Sequence, residues 1–257
     1  MWLNLRAVEE RLETRFVGRH IVYLTSTTST QDVARAEAEE GAPAGTLILA
    51  EEQTAGRGRF GRTWVSPAGK NLYLTVIMRP EVHRARCLGI VAPLAVAEAV
   101  EDVTGLSPRI KWPNDVIVEG RKLAGVLIET EVQGQSLKYA LVGPGINVNF
   151  EIDEASDIAG IATSLKRELV RDTSREELLA VFLNRFEMLY ESAPEGGHVL
   201  QEWRSRLDTL GRHVKVTFRD HVQEGLAEDV DADGNLILAQ PDGRRVVIEA
   251  GEVTLRG

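Results

Sequence analysis

The sequence predicts an α+β fold, a mixed β-sheet with packed helices over residues 1–210, followed by a small β-barrel over 211–257. Three observations predict it. Segments of helical period alternate with short β-branched runs from the first residues onward. Four strand-like runs then follow one another between 109 and 149, as neighbours in one sheet would. After Gly211 the texture changes to short alternating segments with Asp-Gly turns at 233–234 and 242–243.

Taken in order, Leu5, Val8, Leu12 and Phe16 recur at helical spacing and predict an amphipathic first helix. "HIVYL" (20–24) reads as a strand, "TSTTST" as a loop, and 30–40 as a helix ended by Gly41. "TLILAEE" is a short apolar strand leading into a glycine-rich loop. "NLYLTVIM" (71–78) is β-rich and stops at Pro80. Residues 86–104 form an apolar helix that must bury most of its surface. Cys87, at its start, reads as a packed structural thiol. "RIKW", "VIV", "LAGVLIET" and "YALVGPGINVN" supply the successive strands. Ser174 and Glu177 make a capping box for a helix running through about Tyr190. A last helix, around 198–208, carries Val199, Trp203 and Leu207 on one side.

The totals narrow the class of function. A net charge of −9 argues against a sequence-independent grip on nucleic acid phosphates. No stretch approaches the roughly 20 apolar residues that span a bilayer. The N-terminus carries charges throughout and lacks the apolar run of a signal peptide. A single cysteine excludes an intrachain disulfide, so a cytoplasmic protein is expected.

"GRGRFGRTW" (56–64) fits two phosphate-binding templates and satisfies neither. Both the dinucleotide fingerprint and the P-loop need a helix directly after the glycines. Here Pro67 and Gly69 intervene and the chain runs into another strand. What remains is a loop of three glycines and three arginines, Arg57, Arg59 and Arg62. It is either a solvated basic hairpin or an anion-binding loop whose mutually repelling charges become ordered over a ligand. "KWPND" (111–115) combines a cation, an aromatic, a rigid turn residue and two polar side chains. It reads as an Asx turn or as part of a polar site. "RKLAGVLIE" (121–129) sets Lys122 at the mouth of an apolar strand. Two lysines with a three-arginine loop favour a polyanionic substrate. The histidines at 20, 83, 198, 213 and 221 show no ligand-like spacing, so no structural metal is expected.

Together, "GRGRFGRTWVSPAGKNLYL", "KWPND", "KLAGVLIE" and "GPGINVN" resemble the biotin–protein ligases in order and spacing, from about Ser29 to the C-terminus. The resemblance implies a catalytic domain similar to class II aminoacyl-tRNA synthetases over 1–210 and an SH3-like domain over 211–257. It implies biotin, ATP and Mg²⁺ as ligands, with a biotin carboxyl carrier domain of a biotin-dependent carboxylase as partner. It leaves a homodimer open and involves neither nucleic acid nor membrane. By the same resemblance, Arg59 and Lys122 are the catalytic cations. Biotin is met by Ser29, Thr30, Gln31, Gln53, Gly56, Arg57, Gly58, Arg59, Lys122, Gly125, Gly143 and Gly145. ATP is met by Arg57, Arg59, Trp64, Lys111, Asn114, Asp115, Lys122 and Asn147, with Asp115 as a contact to Mg²⁺. One departure shows: the family often has Ser-Thr-Asn where this chain has Ser29-Thr30-Gln31.

A lipoate–protein ligase would share this fold and chemistry, but that group resembles a different glycine motif. A biotin-responsive repressor needs an N-terminal winged helix, and only 28 residues precede Ser29. A ligand-binding module without catalysis is disfavoured by the intact Arg59 and Lys122.

Overall fold

The computed structural model describes residues 2–134, 136–153, 157–193 and 197–255. Among them, seven strands form one mixed sheet: β1 (Ile21–Leu24), β2 (Leu47–Ala50), β3 (Leu72–Met78), β4 (Arg109–Lys111), β5 (Asp115–Val118), β6 (Arg121–Gln133) and β7 (Ser136–Ile146). Their order is β1-β2-β3-β7-β6-β5-β4, and β1 runs parallel to β2 while the other pairings are antiparallel.

Period-two alternation splits the buried strands between two cores. Leu47, Leu49, Leu72, Leu74, Val76 and Met78 enter the large core, while Ile48 and Ile77 face a smaller one. Helix α2 (Thr30–Glu39) covers that second face with Ala34 and Ala38. A short helix α3 (Val82–Ala85), which the sequence pattern does not announce, leads into α4 (Leu88–Thr104). Helix α4 is buried nearly all round because the sheet and α6 (Arg175–Ser192) sandwich it, so its apolar residues show no single stripe. Cys87 packs at its start, where burial pushes the thiol pKa up. Helix α5 (Leu165–Leu169) precedes α6, and α7 (His198–Arg206) follows it. Ser174 caps α6 by accepting from Glu177 N. Val199, Trp203 and Leu207 are buried together, as their spacing predicts.

The first helix is shorter than its apolar spacing predicts. Helix α1 spans only Leu5–Glu9, although Val8 and Leu12 are buried and Phe16 packs against the same core. Beyond it, Glu13 N donates to Asn184, and the amides of Arg15, Phe16 and Val17 all donate to the buried Glu187 carboxylate on α6. Those amides serve an anion instead of a helical ladder. Burial kept its period while the helix ended.

Residues from Gly211 onward form a second sheet, as the change of texture predicts. It comprises β8 (His213–Phe218), β9 (His221–Val230), β10 (Leu236–Ala239), β11 (Arg245–Ile248) and β12 (Glu252–Leu255). The strands are antiparallel in the order β11-β10-β9-β8-β12. Among the described residues this is an open five-stranded sheet with β11 and β12 at its edges, and no ladder closes it into a full barrel. Residues 256–257 of the last predicted strand lie outside the described residues. Gly234 and Gly243 take the left-handed conformation in the two predicted turns. Trp112 donates to the Gly234 carbonyl at 2.9 Å, which ties "KWPND" to this second sheet.

Candidate active site

A cavity of about 710 Å³ opens where the start of α2, the 56–66 segment, the β4–β5 turn and the strands β6 and β7 converge. Gly251, Glu252 and Val253 of the second sheet close one side. This is the size of a small-molecule or nucleotide site. Every predicted site residue lines it except Gly56.

One end of the cavity is neutral and buried. Ser29 caps α2 and accepts from Gln31 N, and Ser29, Thr30 and Gln31 are all almost fully buried. Gln53 accepts from Thr30 N at 2.9 Å and donates to Ser66 at 3.0 Å. Gln31 Nε2 donates to the Leu127 carbonyl at 3.1 Å, but its Oε1 is buried without a partner among the described residues. Trp64 Nε1 is buried and unpartnered in the same way. Buried polar atoms normally find partners, and both residues line the cavity, so a ligand is the natural source of the missing ones.

The other end is charged. The arginines of the loop do not simply repel one another, as their density in the sequence suggests; each has its own partner. Arg57 pairs with Asp32 at 2.5 Å and lies 3.7 Å from Glu129. Arg62 pairs with Glu252 of β12. Arg59 donates to the neutral Asn114 Oδ1 at 2.9 Å, and no carboxylate lies within ion-pair distance of it among the described residues. Burial lowers its pKa, partly opposed by the more distant Asp115 and Glu252. Asn114 in turn donates to the Val126 carbonyl at 2.8 Å, so β6 fixes the group that fixes Arg59. On β6, Lys122 Nζ sits 2.6 Å from Asp115 Oδ1 and 5.4 Å over the Trp64 ring. Lys111, at the end of β4, is the register partner of Asp115.

The glycines serve the site in a way the sequence does not reveal. A Cβ at Gly143 would come within 2.3 Å of Gln31 Nε2, and one at Gly145 within 2.6 Å of Trp64 Nε1. At Gly125 it would lie 3.0 Å from Lys122 Cε. These positions are open because site side chains of this chain occupy the space. Gly58 lines the cavity on the loop, whereas Gly56 lets the chain approach Trp64 O, which a Cβ would reach at 2.5 Å. Asn147 borders the cavity, but its amide donates to the Thr163 carbonyl and accepts from Asn71, so it braces the backbone. Sequence reasoning missed Phe150, Ile158 and Ile161 and the wall at 251–253, all brought to the cavity by chain topology. Their apolar or unremarkable sequence carries no signal of it.

The profile of the Biotin/lipoate A/B protein ligase family matches residues 23–147, and that of the Biotin protein ligase C terminal domain matches 209–256. The chain is 35% identical over 237 residues to a biotin--[acetyl-CoA-carboxylase] ligase of Paracoccus denitrificans, covering 88% of this chain and 98% of that one. It is 32% identical to a bifunctional ligase/repressor BirA of Bacillus spizizenii, covering 93% of this chain and 75% of the relative. A biotin protein ligase from Aquifex aeolicus, solved in complex with biotin and ATP, superposes with a TM-score of 0.79 at 31% identity, covering 93% and 99% of the two chains. With its two sheets, its cavity and these relatives, the chain belongs to the biotin protein ligase family.

Proposed function

We propose that this chain joins biotin to ATP as biotinyl-5′-AMP and then transfers the biotinyl group to one lysine of a biotin carboxyl carrier domain. In the first step a biotin carboxylate oxygen bonds to the α-phosphorus and pyrophosphate leaves. In the second, the neutral amine of the lysine attacks the carbonyl carbon, AMP leaves, and the amine gives up a proton. The observation that carries this reading is Arg59, a cation half-buried in the cavity whose side-chain hydrogen-bond partner among the described residues is a neutral amide. Such a group favours an anion.

The obstacle to the first step is repulsion between carboxylate and phosphate, about 4 kcal/mol at 4 Å and an effective dielectric of 20. Arg59 and Lys122 would offset it from the loop and the strand, with Lys111 and Arg57 further along the phosphates. Gln31 Oε1 is suited to accept a ureido N–H of biotin, beside Ser29, Thr30 and Gln53. Trp64, with its unpartnered Nε1, would meet the adenine. Asp115, which lines the cavity beside Lys122, would supply a protein oxygen to an Mg²⁺ bound with the phosphates. That ion would neutralise phosphate charge. No helix among the described residues is long and apolar enough to cross a membrane. The reading assigns the reaction to the cytoplasm, without a nucleic-acid partner.

The test is to incubate the purified protein with biotin, ATP, Mg²⁺ and a carrier domain. The carrier should gain one biotinyl group on a single lysine, and no group when lipoate replaces biotin. Transfer of lipoate but not biotin would move the chain to the other branch of its family.

A further inference from the structure

The 56–62 loop crosses the cavity as a strap with three attachments. Arg57 is held by Asp32 and Glu129 on the catalytic domain, and Arg59 reaches Asn114 in the middle. The far attachment lies in the other domain, where Arg62 pairs with Glu252. A second contact reinforces it. Phe60, at the tip of the strap, is 55% exposed, yet its ring meets Phe218 at the end of β8 edge-on, with centroids 6.2 Å apart. The same Phe60 ring carries the Arg59 guanidinium at 4.8 Å. A line of contacts therefore runs from the C-terminal domain, through Phe60, to the arginine over the cavity.

The backbone of the tip agrees with this. Phe60 has φ 57° and ψ 33°, a left-handed conformation that bulky residues rarely adopt and that persists where surrounding contacts hold it. Gly58 and Gly61 flank it, and neither would meet anything closer than 3.6 Å through an added Cβ. The loop's own hydrogen bonds, such as Gly58 N to the Arg62 carbonyl at 2.7 Å, shape the tip without tying it to either sheet. Beside the Arg57 and Arg59 attachments, Phe218 and Glu252 hold the tip from the C-terminal domain.

The geometry points to the C-terminal domain as the clasp of this strap. Phe218 and Glu252 act as positioning residues that keep Arg59 over the reactive acyl-adenylate until a carrier lysine arrives. This rests on the ligase reading above. Glu252 borders the cavity and Phe218 does not, so Phe218 separates clasping from ligand contact. Opening the clasp raises escape of the intermediate more than it slows formation, for which Lys122 supplies a charge fixed on β6.

The experiment compares wild type with Phe218→Ala, Phe218→Tyr, Phe60→Ala and the Phe60→Ala/Phe218→Ala double variant. Two readouts are taken after thermal melts establish that each is folded. The first is trypsin cleavage after Arg57, Arg59 and Arg62 in protein without ligands. The second is a single turnover with biotin and ATP, following pyrophosphate release and loss of biotinyl-AMP from the protein. Removing one aromatic partner should raise both cleavage and escape roughly 2- to 12-fold. In the Phe218 variants pyrophosphate release should stay within about twofold of wild type, since Phe218 does not border the cavity. Phe218→Tyr should restore retention, and the double variant should be no worse than either single one. Equal cleavage in folded Phe218→Ala and wild type overturns the clasp, as does escape at the wild-type rate. Slowed adenylate formation with retention intact assigns Phe218 another role and also overturns it. If wild type makes no adenylate, the ligase reading fails, and the trypsin comparison alone then decides the clasp.

Discussion

Two carboxylate–cation pairs of nearly equal length occur in this chain, and they do opposite work. Arg175 and Glu51 meet at 2.7 Å with side chains 5% and 0% exposed. Lys122 and Asp115 meet at 2.6 Å with side chains 35% and 23% exposed. Glu51 is saturated: it also accepts from Leu3 N and Tyr23 Oη, while Arg175 reaches the Asn71 carbonyl. That network ties the N-terminal segment, β1, β2 and α6 together and leaves no room for a substrate. The Lys122 pair instead borders the cavity, where an incoming phosphate can take over the ammonium. Distance alone does not distinguish a structural pair from a chemical one. Burial and the remaining hydrogen-bonding capacity do.

The largest expected effect tests the sealed pair. Replacing Arg175 by Met leaves Glu51 charged, buried and short of a partner, which should destabilise the fold by about 3–5 kcal/mol. A urea midpoint measures it, and any folded fraction should still form adenylate. Lys122→Ala should reverse that pattern. Stability should change by about 0–1 kcal/mol, as for a partly exposed pair, while pyrophosphate release should fall about 10²–10³-fold, as for loss of one preorganised charge contact. A Lys122→Ala protein that makes adenylate at the wild-type rate would erase the contrast.

Arg59→Gly sharpens the comparison from the loop side. Its charge is not bound to a carboxylate, so besides offsetting repulsion in the first step it is free to hold the adenylate once made. Losing a charged hydrogen bond of about 1.5–3 kcal/mol should speed escape of the intermediate by roughly 10- to 150-fold. Off-target biotinylation of a bystander protein measures this, and strict carrier specificity in Arg59→Gly would contradict it.

Much of this was legible in the sequence, for identifiable reasons. The strands and α4 follow from β-branched runs and an unbroken apolar segment. The loop, "KWPND" and Lys122 stand out because charged residues beside glycines and a proline are unusual at strand ends. The length of α1 was not legible, because apolar spacing reports burial and cannot show that amides 15–17 turn to Glu187. The pairing of Lys122 with Asp115, and of Arg62 with Glu252, was hidden as well. Those partners lie 7 and 190 residues apart, and only the sheet topology brings them to one cavity. The site glycines, Gln31 and Trp64 were all visible, but not that Gly143 faces Gln31 and Gly145 faces Trp64.

The smallest effect concerns pH and belongs to the sealed network. Burial, together with the Glu51 carboxylate it donates to, pushes the Tyr23 hydroxyl up to about 12. The unfolded chain therefore loses this proton first, near pH 10. The Tyr23 contribution is complete below about pH 10 and disappears as pH rises towards about 12. Tyr23→Phe should flatten stability against pH in that window. An unchanged slope would detach Tyr23 from the network.

The most direct test of the whole account is native mass spectrometry of the purified protein after incubation with biotin, ATP and Mg²⁺. The account predicts a retained adduct with the mass of biotinyl-5′-AMP, abundant in wild type and in the folded fraction of Arg175→Met but nearly absent in Lys122→Ala. Biotin and ATP bound side by side without conversion, or an adduct of equal abundance in Lys122→Ala, would contradict it.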